Sequence, residues 1–208
     1  MAHFFNDNMN EAMAMTAGLA EGDYFLHDYP HTLIEHGFSD RVILQILEER
    51  PNRENVLDVV REAFLRGRVD FAINTLYQCG DDDMRCGRDM RVVILPAILT
   101  NNLRLHGADP MTSGFLTFVQ VVDEFNIRFN ANEAKTLISG VLHQMGEEVN
   151  EAERANVIMF LLNFFEGYYE NNLASFAELK RLVATVIGGY NGRNLNPESR
   201  ARVMNMLL

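Results

Sequence analysis

Three arginines near the middle of the chain have the chemistry and the spacing to contact a partner. Arg85, Arg88 and Arg91 recur every three residues, so in a helix they would lie along one side. The planar guanidinium group of arginine forms paired hydrogen bonds with carboxylates and phosphates. We therefore predict a patch that contacts an acidic peptide or RNA. The alternative is that the arginines form a solvated face and pair with nearby acids, namely Asp82, Asp83 and Asp89.

A second candidate contact ends an aromatic stretch, NVIMFLLNFFEGYYENN (156–172). Phe160, Phe164 and Tyr168 recur at helical spacing, which predicts the core face of a helix. Tyr168 and Tyr169 stand near the end of the stretch and are predicted to border a groove for a partner helix or a short peptide. The uncharged run 155–165 has eleven residues, whereas a membrane-spanning helix needs about 20. The stretch is therefore interpreted as a buried helix, and no membrane association is expected.

The histidines lack the pattern of a metal site. His27 and His31 are four residues apart, which would suit one face of a helix. Pro30 lies between them and interrupts a regular helix. We therefore predict that these two residues and His36 are surface side chains near a helix start, and no metal is expected.

The cysteines and the acidic run that follows the first of them are interpreted as structural. Cys79 and Cys86 are seven residues apart, whereas paired zinc ligands are typically separated by about two to four residues. They are predicted to be free, buried thiols. Asp81, Asp82 and Asp83 lack the pattern of a calcium loop and are predicted to cap a helix. The sequence also has no glycine-rich phosphate loop and no serine elbow, so we expect a non-enzymatic protein with no catalytic residue and no cofactor.

Composition favours protein partners over nucleic acid. The chain has 208 residues and a net charge of -11, and Lys135 and Lys180 are its only lysines. An acidic chain repels a phosphate backbone at long range, so direct RNA binding is expected to be weak or absent. Two cysteines do not form a disulfide framework, and the N-terminal residues do not read as a signal peptide. A cytoplasmic location, with a nuclear one also possible, is therefore expected.

The elements that position these residues are predicted to be helices throughout. Apolar residues recur at helical spacing along most of the chain, and alternating strand patterns are nearly absent. About ten helices with short connections predict an all-α fold, arranged as a HEAT-like stack of antiparallel helix pairs. An irregular bundle is the alternative. Residues 1–28 are predicted to be an N-terminal arm or a docked helix, and residues 29–208 one helical-repeat domain.

Local signals mark several helix ends. Asn52 is predicted to cap one helix, which Gly67 ends. Either Asn130 or Asn132 is predicted to cap another. Pro96 falls within an apolar helical run, where it is predicted to force a kink or a break.

Three segments of the C-terminal half resemble a known family. SGFLTFVQVVDEFNIRF (113–129) is similar to a helix that follows a small-residue turn. NVIMFLLNFFEGYYENN (156–172) resembles a helix whose apolar run passes into a Gly-containing end, and SRARVMNMLL (199–208) resembles a closing helix. The family is the middle domain of eukaryotic translation initiation factor 4G, including standalone adaptors such as the partner of the histone stem-loop-binding protein.

The resemblance implies a HEAT-type scaffold without enzymatic activity, which brings translation or mRNA-processing proteins together. Some small members of the family self-associate, so a homodimer is a further expectation. The favoured hypothesis is an adaptor that binds short segments of such proteins. The alternative is a structural helical protein, viral-type or scaffold, that acts by self-assembly.

Overall fold

A computed structural model of the chain describes residues 31–35, 37–49, 52–99, 110–144, 151–189 and 191–208. All regular secondary structure in these ranges is helical, which confirms the all-α prediction. The chain divides into two compact units, Met1–Arg85 and Cys86–Leu208. The predicted boundary between residues 28 and 29 lies outside the described residues. The HEAT-like pairing of helices stays a prediction.

The described helices of the first unit are α1 (Thr32–Glu35), α2 (Asp40–Glu49), α3 (Arg53–Leu65), α4 (Val69–Cys79) and α5 (Asp82–Arg85). Helix α4 packs against α2, α3 and α5, and α1 packs against α3. The core of this unit is mainly aliphatic and lies along the facing sides of α3 and α4, where Val59, Val60 and Leu76 are fully buried.

The helix ends of this unit follow the local signals of the sequence. The side chain of Asn52 accepts a hydrogen bond of 2.9 Å from the backbone N–H of Glu54, so the predicted cap of α3 is confirmed. Gly67 follows α3 with φ of +69°, a left-handed conformation that residues with a Cβ atom adopt at a cost. The chain therefore turns sharply between α3 and α4.

The second unit contains α6 (88–99), α7 (Pro110–Glu124), α8 (Ala131–Gln144), α9 (Glu151–Tyr168), α10 (Leu173–Gly188) and α11 (Pro197–Leu207). A short 3-10 turn, Asn191–Asn194, precedes α11. Helix α8 is central, because it packs against α6, α9 and α10. Helix α11 closes the unit by packing against α9 and α10.

Helix α6 contains the proline that was predicted to kink or break it. The helix continues through Pro96 to residue 99, and a π-helical turn, Met90–Ile94, precedes the proline. Such turns add a residue to the helix and are a known accommodation of a local irregularity. A Cβ atom on Gly140 of α8 would lie 3.2 Å from Pro96 Cγ and 3.3 Å from the Val92 carbonyl oxygen. Glycine thus allows α8 to approach α6 closely.

Helix α9 carries an aromatic cluster, as its sequence predicted. The Phe165 ring is fully buried and meets the Phe129 ring edge to face, with centroids 5.2 Å apart. On the other side the Phe160 ring stacks on that of Phe115 at 3.6 Å, and Phe164 contacts Phe118 at 5.2 Å. Leu161 and Phe165 are fully buried, which confirms that α9 is a core helix, whereas the predicted core residues Phe160, Phe164 and Tyr168 are half-buried. Within the described ranges, no helix has the length and apolarity to cross a membrane.

Candidate functional site

A surface groove of about 680 Å³ lies between α6 and α8 in the second unit. The α6 side is formed by Gly87, Arg88, Arg91 and Val92. The α8 side is formed by Glu133, Lys135, Thr136, Ser139, Gly140 and His143. Each lining residue has another one three or four positions away on its own side of the groove, which is the spacing of a single helix face. The groove is therefore built from rigid elements.

The groove carries an excess of positive charge. Three of its lining side chains are arginine or lysine and one is a carboxylate, whereas the chain as a whole has a net charge of -11. Lys135, Ser139 and His143 follow one another at intervals of four along α8. The distance from the first to the last is about 12 Å along the helix axis. The cationic lining is thus a local feature of this groove.

Arg91 has a mainly structural part in the groove. Its side chain is 12% exposed, and it donates hydrogen bonds to the carbonyl oxygens of Gly87 at 2.8 Å, of Arg128 at 2.5 Å and of Cys86. The guanidinium also lies 5.5 Å from the centre of the Phe129 ring. Arg91 therefore joins the start of α6 to the turn that precedes α8.

The turn 125–130 is held from its other side by the two predicted tyrosines. The backbone N–H of Phe129 donates to the Tyr168 hydroxyl oxygen at 3.1 Å, and the Tyr169 hydroxyl donates to the Phe129 carbonyl oxygen at 2.9 Å. Tyr169 is only 6% exposed. Burial, with smaller contributions from neighbouring Tyr168 and Glu133, raises the pKa of the Tyr169 phenol well above its ordinary value. Both predicted contact residues are thus engaged by the protein's own backbone.

Helix α8 begins with a capping box, which resolves the alternative between two asparagines. The Asn130 side chain accepts from the Glu133 N–H at 3.0 Å, and the Glu133 carboxylate accepts from the Asn130 N–H at 2.8 Å. Asn130, not Asn132, is therefore the cap. Glu133 also lies 3.6 Å from the Arg91 guanidinium. The carboxylate of the groove is consequently part of the framework that orients α8.

The predicted arginine set is divided by the structure. Arg88 and Arg91 both line the groove, and Arg88 is exposed. Arg85 ends the first unit and forms an ion pair of 2.9 Å with Asp82, as in the alternative of a solvated face. The backbone N–H of Met84 donates to the Asp81 carboxylate at 2.9 Å, which is the predicted cap. That hydrogen bond lowers the Asp81 pKa, against an opposing effect of desolvation and with a further lowering contribution from Arg53.

The thiols were predicted to be free and buried, and the histidines to be surface side chains near a helix start. Cys79 and Cys86 are free, but Cys86 is exposed, so the prediction of a buried thiol is wrong at that position because it lies in the bend between α5 and α6. Burial raises the pKa of the half-buried Cys79 thiol. His27 and His36 lie outside the described residues, and His31 is half-buried.

No prediction from the sequence assigned a functional role to Lys135, Ser139 or His143. Their signal is the four-residue spacing on α8, which also fits an ordinary solvated helix face. Comparison of the chain with protein families, with curated proteins and with solved structures finds no match in any of the three.

Proposed function

We propose that the protein is a non-enzymatic helical adaptor whose groove between α6 and α8 binds a short segment of a partner protein. The observation that carries this proposal is the groove itself, a concave surface of about 680 Å³ with polar side chains along a rigid helix. An extended peptide rises about 3.3 Å per residue, so about four residues would span the 12 Å from Lys135 to His143.

The contacts of the Glu133 carboxylate favour binding over nucleophilic catalysis in this groove. Ser139 and His143 both line it, and a carboxylate that oriented the imidazole would complete a nucleophilic site. Glu133 is the carboxylate of the lining, and its oxygens accept from the Asn130 N–H and face Arg91. It therefore serves the start of α8 rather than His143.

The class of partner is proposed from the resemblance of three C-terminal segments to the middle domain of initiation factor 4G. On this basis we propose that the partners are translation or mRNA-metabolism proteins, and that the protein acts in the cytoplasm, with the nucleus as a second location. The same resemblance leads us to propose a HEAT-like stacking of the helices. The net charge of -11 supports recognition of protein rather than of RNA.

Site-specific photo-crosslinking tests the proposal. A benzoylphenylalanine at Thr136, inside the groove, is compared with the same residue at Leu173, an apolar side chain of α10 that is 74% exposed. The lysate of cells that express the protein is treated with RNase before irradiation. We expect position 136, and not position 173, to give adducts with translation or mRNA-binding proteins. Adducts only with a second copy of the chain would contradict the adaptor role and support self-assembly.

A further inference from the structure

The lining of the groove contains more positive than negative charge, because Arg88, Arg91 and Lys135 outnumber its one carboxylate, Glu133. Within the part of the chain that the structure describes, no carboxylate pairs with Lys135. The two terminal nitrogens of Arg91 donate to backbone carbonyl oxygens, and its guanidinium pairs with Glu133, which is itself engaged at the start of α8. The positive charge of Lys135, on the α8 side of the groove (the α8 rim), is therefore available to a ligand.

A groove of similar size in the first unit has the opposite balance of charge. That groove is lined by residues of α2 and α4 and has a volume of about 660 Å³. Its charged lining consists of Asp40, Arg41 and Glu48, so carboxylates outnumber cations. An acidic ligand would thus meet like charge in the first groove and opposite charge in the second.

We propose that the groove between α6 and α8 binds an acidic peptide segment, with aspartate or glutamate side chains facing Arg88 and Lys135. This inference rests on the proposed function and specifies the chemistry of the bound segment. Side chains of an extended peptide alternate between its two faces, so acids at every second position would face the rim of α8. Ser139 and His143 lie further along the same rim and offer polar contacts.

The lining favours carboxylates over RNA. Proteins that bind single-stranded RNA combine positive charge with aromatic side chains on which the bases stack. The described lining of the groove contains no phenylalanine or tyrosine. A lysine ammonium is a compact point charge that matches single carboxylates spaced along a peptide.

The two lysines of the chain make a direct test possible. Reductive methylation with ¹³C-formaldehyde keeps their charge and gives two lysine signals in an NMR spectrum, which Lys135→Arg assigns. The full chain is titrated with an octapeptide of alternating Glu and Ser. We expect a saturable shift of the Lys135 signal while the Lys180 signal stays unchanged. Equal shifts of both signals, or no shift of either, would overturn the proposal.

Matched charge reversals supply the control. Lys135→Glu and Lys180→Glu change the net charge by the same amount, so long-range repulsion is equal and only the position differs. Lys180 lies on α10, with its ammonium 5.8 Å from the centre of the Phe176 ring. We expect Lys135→Glu to weaken octapeptide binding at least about threefold relative to Lys180→Glu, as measured by fluorescence anisotropy. Equal affinities would show that the peptide does not contact the α8 rim.

Other probes separate the possible ligands. The same titration is made with the Lys–Ser octapeptide, the phosphoserine–Ser octapeptide and hexauridylate. A shift of Lys135 with hexauridylate alone, or with the phosphoserine peptide alone, would replace the proposal by an RNA or phosphopeptide groove. If position 136 captures a partner but the Glu–Ser octapeptide does not bind, the acidic chemistry fails and the adaptor role stands. If neither binds, both fail.

Discussion

Two turns, one in each unit, meet the same backbone requirement with different chemistry. The turn 66–68 precedes α4, and the turn 125–130 precedes α8. Each contains a residue with positive φ, Gly67 at +69° and Asn126 at +46°. Each also has an arginine near an aromatic ring, since Arg68 lies 4.8 Å from the centre of the Phe71 ring and Arg91 5.5 Å from that of Phe129.

The interactions that hold the two turns differ in exposure. Around the first turn, Arg66 pairs with Glu62 at 2.6 Å and with Glu35 at 2.9 Å, and Arg68 pairs with Asp40. The Arg66 side chain is 44% exposed, whereas Arg91, which holds the second turn, is 12% exposed. Exposed ion pairs are screened by water and salt, whereas breaking a buried hydrogen bond leaves an unsatisfied polar group.

This difference matters for function because the second turn sets the start of α8. Asn130 ends the turn and caps α8, and Lys135 lies just over one helical turn further on. A groove that reads spaced charges needs those charges in fixed positions. The buried hydrogen bond from Tyr169 and the largely buried guanidinium of Arg91 supply that rigidity, and exposed ion pairs would supply less of it.

The largest effect is expected from Arg91→Ala. Three backbone carbonyl oxygens lose their donor, so we expect the second unit to lose about 2–4 kcal/mol of free energy of unfolding. Hydrogen exchange followed by mass spectrometry measures this loss on peptides of α6 and α8. Peptides of α3 and α4 should keep their protection, because the substitution lies in the other unit.

Arg91→Lys is the control for charge. It keeps the positive charge but loses the planar fork that reaches several carbonyls at once. We expect it to recover less than half of the lost protection. Full recovery would show that charge, rather than the hydrogen bonds to the turn, stabilises this region.

Tyr169→Phe is expected to cost less, about 1–2 kcal/mol at neutral pH, because it leaves one buried carbonyl oxygen without its donor. Tyr169 also gives the protein a pH dependence. Since its pKa is raised in the folded state, its contribution to stability is complete below the ordinary phenol pKa and falls as the pH rises above about 10.

Urea unfolding of the wild type and of Tyr169→Phe from pH 8 to pH 11 measures this dependence. We expect the difference between the two proteins to narrow above about pH 10, because only the wild type loses the contribution of the buried phenol. A difference that stays constant over this range would mean that Tyr169 has an ordinary pKa in the folded protein.

The two turns also differ in how far the sequence predicts them. Asn52, Gly67 and the helices around them follow from signals within a few residues, and the structure confirms them. The capping pair of Asn130 and Glu133 is equally local, and its three-residue spacing would have excluded Asn132. The bond between Tyr169 and Phe129 joins residues 40 apart in the chain, so no local pattern reports it. The groove likewise depends on how α8 packs against α6.

Substitutions at Gly67 and Asn126 compare the backbone conformations of the two turns, apart from the side-chain contacts that hold them. No atom outside the local chain lies within 4 Å of a Cβ added to Gly67, so Gly67→Ala should cost about 1–2 kcal/mol through left-handed strain without a clash. Asn126→Gly should change the stability of the second unit by less than about 0.5 kcal/mol, because asparagine tolerates that conformation. Thermal unfolding and hydrogen exchange measure both. A larger loss for Asn126→Gly would show that its side chain, not its φ angle, shapes the second turn.

The effect most sensitive to salt is expected from Arg66→Ala, which removes two exposed ion pairs beside the first turn. Each such pair contributes about 0.2–1 kcal/mol and is weakened by salt. For two pairs we therefore expect a loss of about 0.4–2 kcal/mol in 0.05 M NaCl that nearly disappears in 1 M NaCl. The loss in Arg91→Ala should persist in 1 M NaCl, because the Arg91 side chain is only 12% exposed and its hydrogen bonds are made to neutral carbonyls. If both losses vanished in salt, the two turns would depend on the same screened electrostatics, and the rigidity assigned to the start of α8 would need another source.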